Sequence, residues 1–84
     1  MRPVIVYTAV PCSYCRAAKA LLAARGVSFD EVDLTGQPDE RIALMQKTGM
    51  RTVPQIFIGD HFVGGYTELA AVDRAGELDA LLGR

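Results

Sequence analysis

The sequence predicts an α/β fold: a four-stranded mixed sheet, built from a βαβ unit and a β-hairpin, with helices flanking it. Three observations carry that reading. The apolar run Val4-Ile5-Val6-Tyr7 gives way to Ala17-Ala18-Lys19-Ala20-Leu21-Leu22, all good helix formers, and a second β-type run begins at Val27. Two further apolar runs, residues 55–58 and 61–63, flank the two-residue turn Gly59-Asp60. Helical patterns recur between these two units and after the second. Eighty-four residues accommodate one domain, spanning 1–84, and the half that are hydrophobic suffice for a single core.

Taken in order, residues 3–8 are rich in β-branched types, which suits a central strand covered on both faces. Helix composition runs from about Ser13 to Arg25, and Gly26 supplies its stop. A second strand is expected over Val27–Leu34, with Val27, Phe29, Val32 and Leu34 apolar; the spacing slips after Phe29, so a bend or an early end is expected there. Thr35-Gly36-Gln37 is a loop, and Pro38 fits the first turn of a helix that carries Ile42 and Met45 and stops near Gly49. The hairpin ends at Gly64-Gly65. Thr67 then caps a last helical stretch holding Leu69 and Val72, which Gly76 interrupts before Leu78, Leu81 and Leu82. The first βαβ unit should be parallel and right-handed.

Nine basic residues against ten acidic ones leave a net charge of -1, so no basic excess exists to attract nucleic acid. No 18-residue apolar run is present to span a membrane, and the first six residues are too short for a signal peptide. A cytoplasmic protein is expected. Structural disulfides are rare there, which turns attention to redox or metal chemistry for any cysteine pair.

The chain has two cysteines, both in Pro11-Cys12-Ser13-Tyr14-Cys15, at the junction between the first strand and the first helix. Positions i and i+3 share a helix face, and their Cα atoms fall within the span a disulfide tolerates. At a helix start the unpaired N–H groups and the dipole favour a thiolate. Cys12 is therefore the expected exposed attacker, and Cys15, one turn in, the more buried resolving thiol. Arg16 and Lys19 add positive charge on the same helix. A structural staple gains little, because closing so short a loop removes little chain entropy. A zinc site needs about four nitrogen or sulfur ligands, whereas the chain offers two Cys and one His, His61. A metal or cluster shared between chains stays open. C-x-x-C after the first strand of this pattern is the mark of a thioredoxin-like redox motif.

With these residues in hand the chain resembles the glutaredoxins, close to the short bacterial dithiol type, over nearly its whole length. Tyr7-Thr8 precede the active-site loop, and Cys12-Ser13-Tyr14-Cys15 corresponds to the family's C-P-Y-C. Thr52-Val53-Pro54 matches its T-V-P segment, and Gly64-Gly65-Tyr66-Thr67-Glu68-Leu69 resembles its G-G-x-D-[DE]-L segment. Thioredoxins usually carry W-C-G-P-C, and this chain has no Trp.

The resemblance implies a thioredoxin-like fold, glutathione as electron donor, and reduction of protein or small-molecule disulfides and of glutathione mixed disulfides. It implies that Pro54 is cis and faces the cysteines, and that Val53 offers its backbone to the cysteinyl part of glutathione. Thr52 would line the groove and Tyr14 would stack over the bound peptide. Gly65, Tyr66 and Thr67 would hold the γ-glutamyl carboxylate through N–H groups at a helix start, and Arg41 the glycyl carboxylate. Partners would be glutathione and disulfide-containing or glutathionylated proteins, with the chain acting as a monomer. Two alternatives belong to the same resemblance: a [2Fe–2S] cluster bridging two protomers through Cys12 and glutathione, and a redoxin reduced by thioredoxin reductase. Three positions depart from the family pattern. Ser13 replaces the usual Pro, which frees the loop and adds an N–H. Ala9 stands where many members have Lys, and Thr67 where Asp often meets the glutathione amine, so two charges beside the substrate are missing.

Overall fold

β1 (Val4–Thr8) runs through the middle of the sheet in the computed structural model, which describes residues 1–84. It is followed by α1 (Ser13–Ala24), β2 (Asp30–Asp33), α2 (Pro38–Thr48), β3 (Gln55–Ile58), β4 (His61–Gly64), α3 (Tyr66–Arg74) and α4 (Leu78–Leu82). The strand order is β2-β1-β3-β4, with β1 and β2 parallel and the other two pairs antiparallel. This is the expected four-stranded mixed sheet of a thioredoxin-like fold. No helix is long and apolar enough to cross a membrane.

Alternation along β1 and β3 sends Val4, Val6, Ile56 and Ile58 to one face, where they meet Ala18 and Leu22 of α1, Leu69 of α3, and Leu78 and Leu82 of α4. That face holds the core. Ile5 and Tyr7 point the other way and are only half-buried, so β1 is less fully covered there than its apolar run suggests. Tyr7 meets the Phe57 ring edge-on at 5.8 Å between centroids, and Lys47 of α2 sits 5.1 Å above Phe57. The hairpin turn has Gly59 at φ +58 with no positive φ at Asp60, the φ pattern of a II′ turn, whose twist suits two flanking strands.

Three expectations need correction. The second strand is Asp30–Asp33 alone, an exposed edge, and the apolar Val27 and Leu34 lie outside it. The Val27 N–H is held by the Leu22 carbonyl at 2.9 Å, so the chain is still leaving α1 at that point. At Val27 the apolar spacing records burial, not membership of the ladder, whereas the Leu34 N–H still donates to the Thr8 carbonyl of β1 at 2.8 Å just past the strand's end. In α2 the packed residue is Leu44, while Ile42 is 48 % exposed. The stripe is set by Leu44 and Thr48, four apart, because Thr48 is tied to Gln55 of β3. Finally, α3 starts at Tyr66 with Gly65 as its N-cap, two residues ahead of the expected Thr67 cap. Glu68 reaches back so that its Oε1 accepts the Gly65 N–H at 2.7 Å, so the cap is closed by a carboxylate on the N-cap N–H and not by the Thr67 hydroxyl.

Gly64, which delivers the chain from β4 to that cap, has φ +118. A Cβ there would lie 2.8 Å from Glu68 Oε1 and 2.9 Å from its Cγ. Gly64→Ala therefore destabilises the chain by ~1–3 kcal/mol through backbone strain and crowding, read as a lower urea midpoint at unchanged slope.

Candidate active site

Cys12 is the N-cap of α1, in extended backbone (φ -160, ψ 105), and its Sγ accepts the Cys15 N–H at 3.0 Å. The sulfur takes the place of the oxygen that Ser or Asp commonly supplies at a cap. A donor aimed at sulfur binds an anion more strongly than a neutral thiol. The Cys12 thiol in turn donates to the Val53 carbonyl at 3.7 Å. Cys15, one turn along, is only 2 % exposed. Its removal from water, followed by its hydrogen bond with Cys12, pushes its thiol up to about 11. Both cysteines are free, so the pair consists of one accessible sulfur and one shielded sulfur that stays protonated near neutrality.

Beside Cys12 lies a groove of about 370 Å³. The loop before β3 contributes Thr52, Val53 and Pro54 to it, and the start of α3 contributes Gly65, Tyr66 and Thr67. Tyr14, 63 % exposed, overhangs it with its ring tilted 31° to that of Tyr66, centroids 6.0 Å apart. The Val53–Pro54 bond is cis, and so is Val10–Pro11, which nothing in the sequence announced. Because Glu68 occupies the Gly65 N–H, the donors left open at this helix start are those of Tyr66, Thr67 and Glu68, which have no intrahelical acceptor.

The structure thus brings seven of the ten singled-out residues to one groove. Cys12 and Cys15 border the adjoining depression instead, with Thr8, Arg16, Lys19 and Glu31, and the contact from Cys12 to Val53 joins the two hollows. Arg41 lies apart, half-buried beside Val10, Thr35 and Pro38. Lys19, expected to favour the thiolate, is paired with Glu31 at 3.1 Å, which compensates much of its charge. The buried Thr8 hydroxyl also donates to Glu31, at 2.7 Å, and with Lys19 holds that carboxyl below the usual range.

Sequence reasoning missed Thr8, Glu31, Met50, Gln55 and Glu68. For Thr8 a signal existed, since it continues the inward-facing series Val4, Val6 with a polar residue. No group of three or more His, Cys, Asp or Glu side chains comes together to hold a metal, and His61 is exposed at the start of β4.

Comparison with known proteins gives a consistent result. The glutaredoxin family model matches residues 4–63. The chain is 51 % identical over 82 residues to a glutaredoxin of Pseudomonas aeruginosa, covering 98 % of both proteins. Among solved structures it superposes on the solution structure of glutaredoxin from Brucella melitensis with a TM-score of 0.88 and 44 % identity, covering all of this chain and 94 % of that one. It superposes equally well on a buckwheat glutaredoxin–glutathione complex, with a TM-score of 0.90, 32 % identity, and coverage of 98 % and 77 %. With a profile matching most of its length and a relative alike from end to end, the chain belongs to the glutaredoxin family of thiol–disulfide oxidoreductases.

Proposed function

We propose that the protein reduces protein and small-molecule disulfides, and glutathione mixed disulfides, with glutathione as electron donor. The observation that carries this reading is the placement of Cys12 Sγ 3.7 Å from the Val53 carbonyl, at the edge of a groove closed on its other side by free helix N–H groups. The Val53 N–H and C=O can pair with the cysteinyl residue as an added strand would. The Tyr66 and Thr67 N–H groups suit the γ-glutamyl carboxylate. Tyr14, Thr52 and Pro54 cover the remaining faces, and Gly65 keeps its side of the groove open. Arg41, outside the groove, receives no contact in this reading.

The Cys12 thiolate attacks the glutathionyl sulfur of a mixed disulfide, the S–S bond breaks, and the substrate thiolate leaves and takes a proton from water. Cys12 now carries glutathione. A second glutathione thiolate can attack that sulfur, releasing glutathione disulfide and free Cys12. When the substrate is a protein disulfide, the Cys12 thiolate attacks one of its sulfurs and the other leaves as a thiol. Cys15 then loses its proton, attacks Cys12 and expels the second protein sulfur as a thiol, leaving a Cys12–Cys15 disulfide that two glutathiones reduce to yield glutathione disulfide. The reducing cytosol supplies the glutathione this cycle consumes.

The cluster alternative finds one ligand per chain. Cys12 is accessible, whereas Cys15 is shielded and protonated, so four thiolates would take two chains and two external thiols. One coupled assay separates the readings. With a glutathionylated peptide, NADPH oxidation is expected through glutathione and glutathione reductase and not through thioredoxin reductase. Turnover with thioredoxin reductase alone would overturn glutathione dependence.

A further inference from the structure

The loop that presents Val53 is held from behind by one buried amide, and we infer that Gln55 is a positioning residue for the glutathione groove. This rests on the reading of that groove given above. Gln55 is 1 % exposed. Its Nε2 donates to the Met50 carbonyl at 2.8 Å and to the Thr52 carbonyl at 3.0 Å. Its Oε1 accepts from the Thr48 hydroxyl at 2.8 Å, and that hydroxyl accepts the Met50 N–H at 3.1 Å. Every polar atom of the side chain is satisfied, and the arrangement works in one orientation only. Rotating the amide by half a turn would set Oε1 against the Met50 and Thr52 carbonyls and lose both of those bonds.

The consequence lies at the next peptide. The Thr52 carbonyl and the Val53 N–H belong to one trans peptide unit, in which they point opposite ways. With the Thr52 carbonyl drawn inward to Gln55, the Val53 N–H is turned outward, and the Val53 carbonyl beyond it accepts the Cys12 thiol at 3.7 Å. Gln55 touches neither sulfur nor groove, since it lines no part of either hollow. It sets the rotation of the peptide unit that does. Met50, whose carbonyl the same amide holds, borders the groove directly, so both ends of the segment 50–52 are pinned to one anchor.

The test uses Gln55→Met, of similar shape without hydrogen bonds, and Thr48→Val and Thr48→Ser as a milder pair in case the first does not fold. For a glutathionylated peptide, Gln55→Met and Thr48→Val should raise KM about tenfold, the factor that ~1.4 kcal/mol carries, while kcat stays within about twofold. Thr48→Ser should restore the wild-type KM. Alkylation of Cys12 by iodoacetamide, which needs no glutathione site, should proceed at the wild-type rate in all three. Folded Thr48→Val with wild-type KM would overturn the inference. So would an equal fall of kcat and of alkylation rate, which marks a general structural role. A wild-type protein that shows no saturation by glutathionylated peptide would instead defeat the reading of the groove itself.

Discussion

Cys12→Ser is expected to abolish every glutathione-coupled activity, whereas Cys15→Ser loses protein-disulfide reduction and keeps the removal of glutathione from mixed disulfides. The two substitutions differ in chemistry and hardly at all in fold. Serine is itself a favoured N-cap, so Cys12→Ser preserves the cap on α1 while removing the only accessible thiol. Loss of activity without loss of stability is the signature of a missing nucleophile. At position 15 the backbone N–H that donates to Cys12 Sγ is unaffected by the side-chain change, so the attacking sulfur keeps its donor. What disappears is the thiol that resolves a bound protein, a step that a second glutathione replaces only for small leaving groups. Paired assays with a glutathionylated peptide and a protein disulfide check this, and activity in Cys12→Ser would contradict it.

The second large effect concerns Cys15 alone. With its thiol at about 11 against an ordinary value of 9.0, chiefly through burial, Cys15 holds its proton across the window in which an unfolded cysteine loses it. At pH 8 only about one Cys15 in a thousand is thiolate, roughly a hundredfold fewer than for the ordinary value, so its alkylation should lag accordingly. Reduced protein should take up one equivalent of iodoacetamide promptly at that pH, and a second only after unfolding or as the pH nears 11. The sign for stability follows from the same shift. Between pH 9 and 11 the folded state binds more protons at this site than the unfolded one, so its contribution, full below pH 9, declines as pH rises through the window. Mass spectrometry of peptides labelled at pH 8 checks the first part. Equal labelling of both cysteines would contradict it.

Much of this was legible in the sequence for particular physical reasons. The βαβ unit and the hairpin each announce themselves locally, through an apolar run ending at a helix former or at a Gly-Asp turn, and both are present, with the second strand shortened to Asp30–Asp33. The cysteine pair at a strand–helix junction is equally local. What escaped was set by contacts across the fold. Val27 looks like a strand residue because burial and strand pairing leave the same apolar mark, and only its hydrogen bond to Leu22 separates the two. Ile42 was expected on the packed face of α2, but a hydrogen bond from Thr48 to Gln55, between two polar residues in different elements, turns the helix to bury Leu44 instead. Charge was misjudged for the same reason. Lys19 is near the cysteines in sequence, yet its partner Glu31 comes from β2, and Glu68 takes an N–H that the motif alone leaves free.

The proposed activity requires glutathione to become attached to Cys12 and to lie along Val53. Reduced Cys15→Ser, mixed with glutathione disulfide and digested without reductant, tests this directly by mass spectrometry, with amide NMR of the intact adduct. One glutathione on the peptide containing position 12, together with shifts concentrated at Val53, Tyr66 and Thr67, is the predicted result. An unmodified Cys12, or an adduct that leaves those three amides unmoved, would contradict it.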